Sequence, residues 1–306
     1  MDLSTSSRTA SDPLSDVLTA LGAGVARLTR LEAAGDWALA FPAAERLKFV
    51  AILKGSAWIT PAGREPQRMQ AGDVCLIGPT DYAVASDPNL PPVDGETLYV
   101  DQDTARLGGD ETIGIGGVVT LSSGTADFLL NMLPDFLMAP RSAPTSGAVS
   151  AILELLSREA ERGSIGGQIV GARLADVLLV EAIRAYADGV GGVPTGWLGA
   201  LADVRLGRAL RAVHDDIARP WTVAEMAGTA GMSRAAFSAA FTRGVGQPPL
   251  SYVRAWRLTL AHAALTEGET NIARLAARLG YSSQSAFTHA FRSVYRAAPM
   301  AVARAG

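Results

Sequence analysis

Hydrogen-bonding side chains cluster on two segments near the C-terminal end of the chain. In the first segment, Phe237 and Phe241 are four residues apart and define one face of a helix, which leaves Arg234, Ser238 and Thr242 on other faces. Guanidinium, hydroxyl, amide and imidazole groups placed in this way can bond to phosphate oxygens and to base edges. The candidate contact residues of the two segments are Arg234, Ser238, Thr242, Arg243, Gln284, Ser285, Thr288, His289 and Arg292.

The two segments are copies of one unit, placed 50 residues apart. Six residue types recur in register, which indicates that one supersecondary unit is used twice. The matched pairs are Ser233 and Ser283, Ala236 and Ala286, Phe237 and Phe287, Ala240 and Ala290, Phe241 and Phe291, and Pro249 and Pro299.

Each copy has the pattern of a helix-turn-helix, predicted over 222–243 and 271–293. Thr222 and Glu225 form a capping-box pattern, Gly231 permits a tight turn, and Ser233 can cap the second helix. The second copy has one more residue between its Gly280 and its serine cap. Between the copies, Pro248-Pro249 opens a helix that is predicted to run to about Leu265. A rigid spacer of this length suits two helices that read successive major grooves of DNA.

The distribution of charge fits this interpretation. Residues 196–306 contain 13 arginines and no lysine against six acidic residues, a net charge of +7. Residues 1–195 contain 14 basic and 24 acidic residues, a net charge of −10. A basic domain of this kind favours phosphate binding, although a basic surface can also be simply solvated.

The C-terminal third resembles the DNA-binding domain of the AraC/XylS family of bacterial transcription regulators. The resemblance lies in WTVAEMAGTAGMSRAAFSAAF, PPLSYVRAWRLTLAHAAL and IARLAARLGYSSQSAFTHAFRSVYRAAP. In such a domain Arg234 is the best candidate for a guanine contact, Gln284 for adenine, and Thr288 or His289 for a base or a phosphate. Solvated surface is the alternative at each of these positions. Two departures stand out: Arg296 replaces the glycine expected at a helix end, and Ala239-Ala240 stand where family members often carry arginine.

Residues 36 to about 122 contain short apolar runs separated by Gly, Pro and Asp, which predicts a sandwich or small barrel. The strands LKFVAILKGSAWI and AGDVCLIGP resemble the cupin-type sensor domain found in one branch of the family. The predicted fold class is therefore α+β. A disordered N-terminus (1–12) precedes a cupin-like β-barrel (13–141), a helical segment (148–188) and a linker (189–196), and an all-α double helix-turn-helix domain (197–306) completes the chain.

The barrel is predicted to bind a ligand without catalysing a reaction. All three histidines lie after residue 195, and Val50 and Ala83 occupy the positions where the resemblance implies metal-binding His in metal-dependent cupins. We therefore expect no catalytic residue, no metal and no cofactor, although an enzyme of the cupin type is an alternative. The candidate pocket aromatics, which could equally be plain core, are Trp37, Phe41, Phe49, Trp58 and Tyr82.

The single cysteine, Cys75, gives a further alternative, a thiol-based redox-sensing regulator. Its strand has no basic neighbour in sequence that would lower the thiol pKa, so an inert buried thiol is the simpler interpretation.

The helical segment is predicted to pair two chains. Val170 and Val177 belong to its predicted apolar stripe, which either packs on the barrel or forms a homodimer. Charged residues interrupt this helix, and the first dozen residues lack an apolar core segment, so neither a membrane span nor a signal peptide is expected.

The predicted protein is a cytoplasmic regulator, nucleoid-associated when bound to double-stranded DNA, with a small-molecule effector. RNA polymerase is a further partner if the regulator is an activator.

Overall fold

The computed structural model describes residues 12–121, 124, 126–139, 146–162, 165–188 and 196–305. The chain divides into two compact units. The sheet unit comprises Ala23–Leu121 and Leu133–Pro194, and the helical unit comprises Met1–Gly22, Ser122–Met132 and Thr195–Gly306. The predicted disordered N-terminus lies outside the described residues except for Asp12, and the predicted linker does so except for Gly196.

Eleven strands and a short 3-10 helix (Glu96–Tyr99) have been described in the sheet unit. The strands are β1 (Gly24–Ala33), β2 (Ala38–Phe41), β3 (Leu47–Lys54), β4 (Ser56–Pro61), β5 (Gln67–Gln70), β6 (Val74–Ile77), β7 (Tyr82–Ala85), β8 (Val93–Asp94), β9 (Thr104–Leu107), β10 (Thr112–Thr120) and β11 (Phe136–Ala139). They form a six-stranded sheet in the order β11-β6-β3-β10-β1-β9 and a five-stranded sheet in the order β5-β4-β7-β2-β8.

The core of the sheet unit contains side chains from both sheets. Ile52 and Ile77 come from the six-stranded sheet, and Leu39, Ile59 and Val84 come from the five-stranded sheet. Strand β3 is apolar on both faces, and it is covered on both, since Phe49, Ala51 and Ile52 are all buried. The sheet-rich architecture predicted from the short apolar runs is confirmed.

Two helices of the sheet unit follow the strands in sequence, α3 (Ser146–Arg162) and α4 (Gly167–Ala187). They pack against each other, and α4 also packs on β1, where Asp176 Oδ1 accepts a hydrogen bond from the Val25 amide at 2.7 Å. Val170 and Val177 of the predicted apolar stripe do not pack on the barrel, since they are 44% and 48% exposed. Small residues let α4 approach the sheet closely. The buried face of α4 is therefore adjacent to the predicted stripe, and its residues include Gly171, Ala175, Leu178, Leu179, Ala182 and Ile183.

Ten helices of the helical unit are described. They are α1 (Pro13–Ala20), α2 (Ala126–Leu130), α5 (Gly196–Ala202), α6 (Val204–Asp215), α7 (Val223–Ala230), α8 (Arg234–Val245), α9 (Pro249–Thr266), α10 (Ile272–Arg278), α11 (Gln284–Tyr295) and α12 (Pro299–Ala305). None of the described helices in either unit is long and apolar enough to cross a lipid bilayer.

Helices α1 and α2 belong to the helical unit, although the sequence places them within the predicted sensor domain, 13–141. Helix α1 buries Leu14 and Val17 and contacts α6 and α9. In α2, the ring of Phe128 stacks on Trp256 of α9, with 5.4 Å between centroids. Both helices are short, and they join the helical unit because that is where their apolar side chains find a partner surface.

Both helix-turn-helix patterns fold locally as their caps predict. The Thr222 hydroxyl and the Glu225 carboxylate complete a capping box at the start of α7. Ser233 caps α8 and Ser283 caps α11, each through a hydrogen bond from the amide three residues on. Helix α9 connects the motifs and has 18 residues, so it is about 27 Å long.

Candidate nucleic-acid interface and ligand cavity

Each second helix of a motif is anchored by its two phenylalanines. Phe237 and Phe241 of α8 are fully buried, as are Phe287 and Phe291 of α11. The ring centroids of the first pair are 5.4 Å apart and those of the second pair 5.7 Å. Burying this face fixes the rotation of each helix about its axis and leaves the opposite, polar face to solvent.

The predicted contact residues of α8 lie on that solvent face. Arg234, Thr242 and Arg243 are exposed, and Ser238 is partly buried. Within the described part of the chain, neither guanidinium has a hydrogen bond or ion pair. Both charges are therefore free to meet an external phosphate or base.

The predicted contact residues of α11 share one surface. Gln284, Ser285, His289 and Arg292 are exposed, and Thr288 is partly buried. All five line a shallow depression together with Ser293. The five side chains therefore lie on one side of the helix.

Other arginines of the helical unit are engaged in its own structure. Arg219 pairs with Glu225 at 2.9 Å, and Arg274 pairs with Glu269 at 2.8 Å. The net charge of this unit therefore overstates the number of cations that a nucleic acid could meet directly.

Arg257 connects the two motifs from the middle of α9. Its Nε donates to the Ile217 carbonyl at 3.0 Å and its Nη2 to the Arg219 carbonyl at 2.6 Å, both just before the first motif. Its Nη1 donates to the Gly280 carbonyl in the turn of the second motif at 3.4 Å. One partly buried guanidinium thus holds both motifs against the connecting helix, a role that no local sequence pattern reveals.

The ends of α8 and α11 have the same geometry despite different residues. Gly246 caps α8 in the left-handed conformation, with φ +82°, and Arg296 caps α11 with φ +55°. Arg296 is the one described residue other than glycine with positive φ. The second copy therefore keeps the turn that glycine favours and tolerates the cost of a side chain there.

The sheet unit contains a cavity of about 530 Å³ that is lined by four of the five predicted aromatics, Trp37, Phe41, Phe49 and Tyr82. Trp58 does not line it. The side chains of β4 alternate, with Ala57, Ile59 and Pro61 buried, so Trp58 lies on the opposite face of the strand.

One charged side chain in the cavity wall is buried. Lys48 lies on β3, is 8% exposed, and holds its ammonium near the stacked rings of Phe41 and Tyr82. Burial lowers the pKa of Lys48, while Glu96, 3.7 Å away, partly offsets that effect. Sequence reasoning missed Lys48, although a lysine placed between apolar residues near the start of a strand was the available signal.

Glycines shape the wall formed by β10. Gly114, Gly116 and Gly117 all line the cavity. A Cβ on Gly117 would overlap the ring of Phe49. The absence of side chains here opens the space that the aromatic rings enclose.

Cys75 is fully buried, and burial strongly raises the pKa of its thiol. A reactive sensor thiol needs the opposite, an accessible sulfur with a lowered pKa. The described residues also contain no group of three or more His, Cys, Asp or Glu side chains placed to hold a metal ion. Neither the redox alternative nor the enzyme alternative gains support from this arrangement.

Comparisons with known proteins match both parts of the chain. A family model described as a cupin matches residues 12–188, and one described as a helix-turn-helix domain matches residues 226–305. AraC-like transcription regulators of Streptomyces lividans and Streptomyces antibioticus are each 35% identical, covering 92% and 94% of this chain and 95% and 99% of their own length. The solved structure of ToxT from Vibrio cholerae O395 covers 92% of this chain and 97% of its own, at 13% identity and a TM-score of 0.37.

A cupin-like domain followed by paired helix-turn-helix motifs defines a DNA-binding transcription regulator. The chain belongs to the AraC-like family of transcription regulators. The resemblance seen in the motif sequences is thereby confirmed.

Proposed function

We propose that this regulator reads DNA in two successive major grooves, with α8 in one and α11 in the next. The observation that carries this proposal is the pair of exposed polar faces, each anchored by two buried phenylalanines, on motifs that Arg257 ties to one connecting helix. Helix α9 is about 27 Å long. When the widths of the two motifs are added, the distance between α8 and α11 comes near one DNA turn, about 34 Å.

The two helices would read different sequences. In the first groove, Arg234 is the candidate for a guanine contact, since a guanidinium can bond to both acceptors of that base. In the second, Gln284 is the candidate for adenine. The remaining candidates would contact bases or phosphates: Ser238, Thr242, Arg243, Ser285, Thr288, His289 and Arg292. Because the copies differ at these positions, the footprint of one chain is asymmetric.

The cavity of the sheet unit is the proposed effector site, and its role is binding without catalysis. It is largely apolar, has a few polar groups, and is of the size that small-molecule sites usually have. Residues 1–195 contain no histidine to serve as a metal ligand or base. A ligand that prefers one conformation of this unit would shift the population of DNA-binding states.

We further propose that two chains associate through α3 and α4. Leu155, Val170 and Val177 leave apolar side chains exposed on this helix pair, and a second copy would bury them. Sedimentation of wild type and Val177→Glu tests this: the wild type should be a dimer and the variant a monomer. If both sediment as monomers, the dimer proposal fails.

The proposed site of action is the cytoplasm, on chromosomal DNA, with RNA polymerase as a partner if the regulator activates transcription.

Selecting bound sequences from a random DNA pool tests the reading of two grooves. The expected outcome is a bipartite site, in which two elements of different base sequence lie about one helical turn apart. Enrichment of a single short element would show that only one motif reads bases.

A further inference from the structure

The Lys48 ammonium is held in the cavity wall by aromatic faces. Its Nζ lies 5.7 Å from the ring centroid of Phe41 and 5.4 Å from that of Tyr82. The two rings are stacked 5.0 Å apart. Such contacts attract a cation, but they recover only part of the hydration that burial removes.

The hydrogen-bonding capacity of this ammonium is largely unused. An ammonium has three N–H donors, and the hydrogen bond described for Nζ is a long one, 3.5 Å to the carbonyl of Pro42. Glu96 Oε1 is 3.7 Å away, which is beyond hydrogen-bond distance, and its side chain is 48% exposed. Glu96 can therefore turn toward water at little cost and leave the ammonium to a ligand.

The other charges on the cavity wall add to the positive potential. Arg46 also lines the cavity, and its guanidinium has no ion pair or hydrogen bond with any described residue. Arg27 is already engaged, by Asp103 at 2.8 Å and by the carbonyls of Tyr99 and Gln102. The wall thus carries three cationic side chains against one carboxylate, Glu96.

We propose that the cavity binds a predominantly apolar molecule with one anionic group, and that this group pairs with Lys48. This inference rests on the proposed function, in which the cavity is the effector site. The apolar part lies among Trp37, Leu39 and Phe49 and against the glycines of β10. The anion displaces the weak contact of Glu96.

The alternatives cost more. A cationic ligand would face Lys48 and Arg46 at close range in a poorly solvated space. A neutral apolar ligand would expel water from the ammonium without supplying an acceptor, and burying a charge without a partner is strongly unfavourable. Charge therefore selects among apolar ligands that the cavity could otherwise accept.

A matched pair of fluorescent probes tests the proposal on the full-length chain. 1-Anilinonaphthalene-8-sulfonate carries an anionic group, and N-phenyl-1-naphthylamine has the same ring system without it. Wild type should bind the sulfonate more tightly. Lys48→Met should weaken sulfonate binding by about tenfold or more, since charge-assisted hydrogen bonds are lost. It should strengthen binding of the neutral probe, since no ammonium is then left without a partner.

The second lysine of the chain provides the control. Lys54 lies on the same strand, is 53% exposed in its side chain, and pairs with Asp110. Lys54→Met removes the same charge but should leave both affinities unchanged. Glu96→Gln removes the competing carboxylate and should strengthen sulfonate binding. Equal effects of Lys48→Met on the two probes, or no effect on either, would overturn the inference.

A cavity-filling variant separates this inference from the proposed function. Val50→Trp adds bulk on the wall and should abolish binding of both probes while preserving the thermal unfolding transition. If wild type binds neither probe, or if Val50→Trp binds both normally, the proposal that the cavity is the effector site fails. If the neutral probe binds in the cavity but the sulfonate does not, only the assignment of charge is wrong.

Discussion

Nδ1 of His214 lies 3.1 Å from Oδ2 of Asp16, although 198 residues separate them along the chain. Nε2 of the same imidazole is 2.8 Å from the Tyr252 hydroxyl, which accepts a hydrogen bond from Trp197 at 3.2 Å. Because a carboxylate only accepts, a neutral His214 that donates to Asp16 through Nδ1 must accept from Tyr252 through Nε2. Four side chains thus connect α1, α5, α6 and α9 through one hydrogen-bond network inside the helical unit.

Because Asp16 and His214 belong to one hydrogen-bond network, we expect their contributions to the free energy of unfolding to be coupled. Asp16→Ala should lower the free energy of unfolding by about 1 kcal/mol, and His214→Ala by about 2 kcal/mol because it also leaves the Tyr252 hydroxyl without a partner. The double variant should show a coupling of about 0.5 kcal/mol or more. Urea denaturation of the four proteins measures it. Additive effects would mean that α1 is held by its apolar residues alone.

The turns of the two motifs make a matched pair of glycine tests. Gly231 and Gly280 both have positive φ, but a Cβ on Gly231 would meet nothing within 4 Å. A Cβ on Gly280 would overlap the carbonyl oxygen of Ala218 and lie 2.8 Å from Arg257 Nη2. Gly231→Ala should therefore destabilise by about 1 kcal/mol through backbone strain alone. Gly280→Ala should cost about 3 kcal/mol, since the backbone must also shift.

Thermal unfolding with calorimetric enthalpies compares the two variants. Equal losses would indicate that the loop containing Ala218 yields easily and that Arg257 does not hold it in place. A larger loss for Gly231→Ala would contradict the close approach at Gly280.

What the sequence predicts well in this chain is local. Thr222 and Glu225 cap a helix within three residues of each other, and Phe237 and Phe241 meet on adjacent turns, so their spacing alone determines the contact. The same holds for the polar face that carries Arg234. The missed features depend on distant partners: Arg257 bonds to backbone 40 and 23 residues away, and Asp16 meets His214 across most of the chain.

The cavity shows the same division. The apolar runs predict strands with aromatic residues, but side-chain alternation in β4 and the registers across both sheets decide which of them face the lumen. Trp58 was therefore assigned to the cavity incorrectly, and Lys48 was overlooked. Strand alternation is a local property, but which face becomes the inside depends on the whole sheet.

Substitutions at the C-terminal caps of α8 and α11 are expected to have opposite effects on the stability of the protein. Arg296→Gly relieves left-handed strain, offset in part by the greater freedom of glycine in the unfolded chain, so it should stabilise by about 0.5 kcal/mol. Gly246→Ala should destabilise by about 1 kcal/mol, since nothing within 4 Å crowds a Cβ there and strain acts alone. Thermal denaturation in the absence of DNA measures both. Destabilisation by Arg296→Gly would show that its side chain makes a favourable contribution that outweighs the strain.

His262 predicts a loss of stability in mild acid. This side chain is 7% exposed, and burial lowers its pKa below the ordinary value of about 6.5. As pH falls below about 6.5, the unfolded chain takes up a proton that the folded chain resists, so the free energy of unfolding decreases. His262→Phe keeps an aromatic ring beside Tyr295 and should flatten that decrease. Denaturation at several pH values tests this, with the exposed His289→Gln as the control that should retain the wild-type profile.

The proposed interface makes its sharpest prediction for two arginines of α8. Arg234→Ala should relax the choice of base at one position, at a cost of about 1–3 kcal/mol in discrimination, because a bidentate guanine contact is lost. Arg243→Ala should weaken binding to all sequences alike and reduce the slope of log affinity against log salt by about 0.9, as expected when one phosphate contact is lost.

Competition binding on the selected site and on each of its single-base variants, at several salt concentrations, separates the two effects. Arg208→Ala, which removes an exposed arginine of α6 outside both motifs, is the matched control and should retain the wild-type order of sites. If Arg234→Ala lowers every affinity by the same factor, Arg234 contacts a phosphate and another residue of α8 reads the base. If neither α8 variant differs from the control, the face that the buried phenylalanines leave exposed is not the surface that meets DNA.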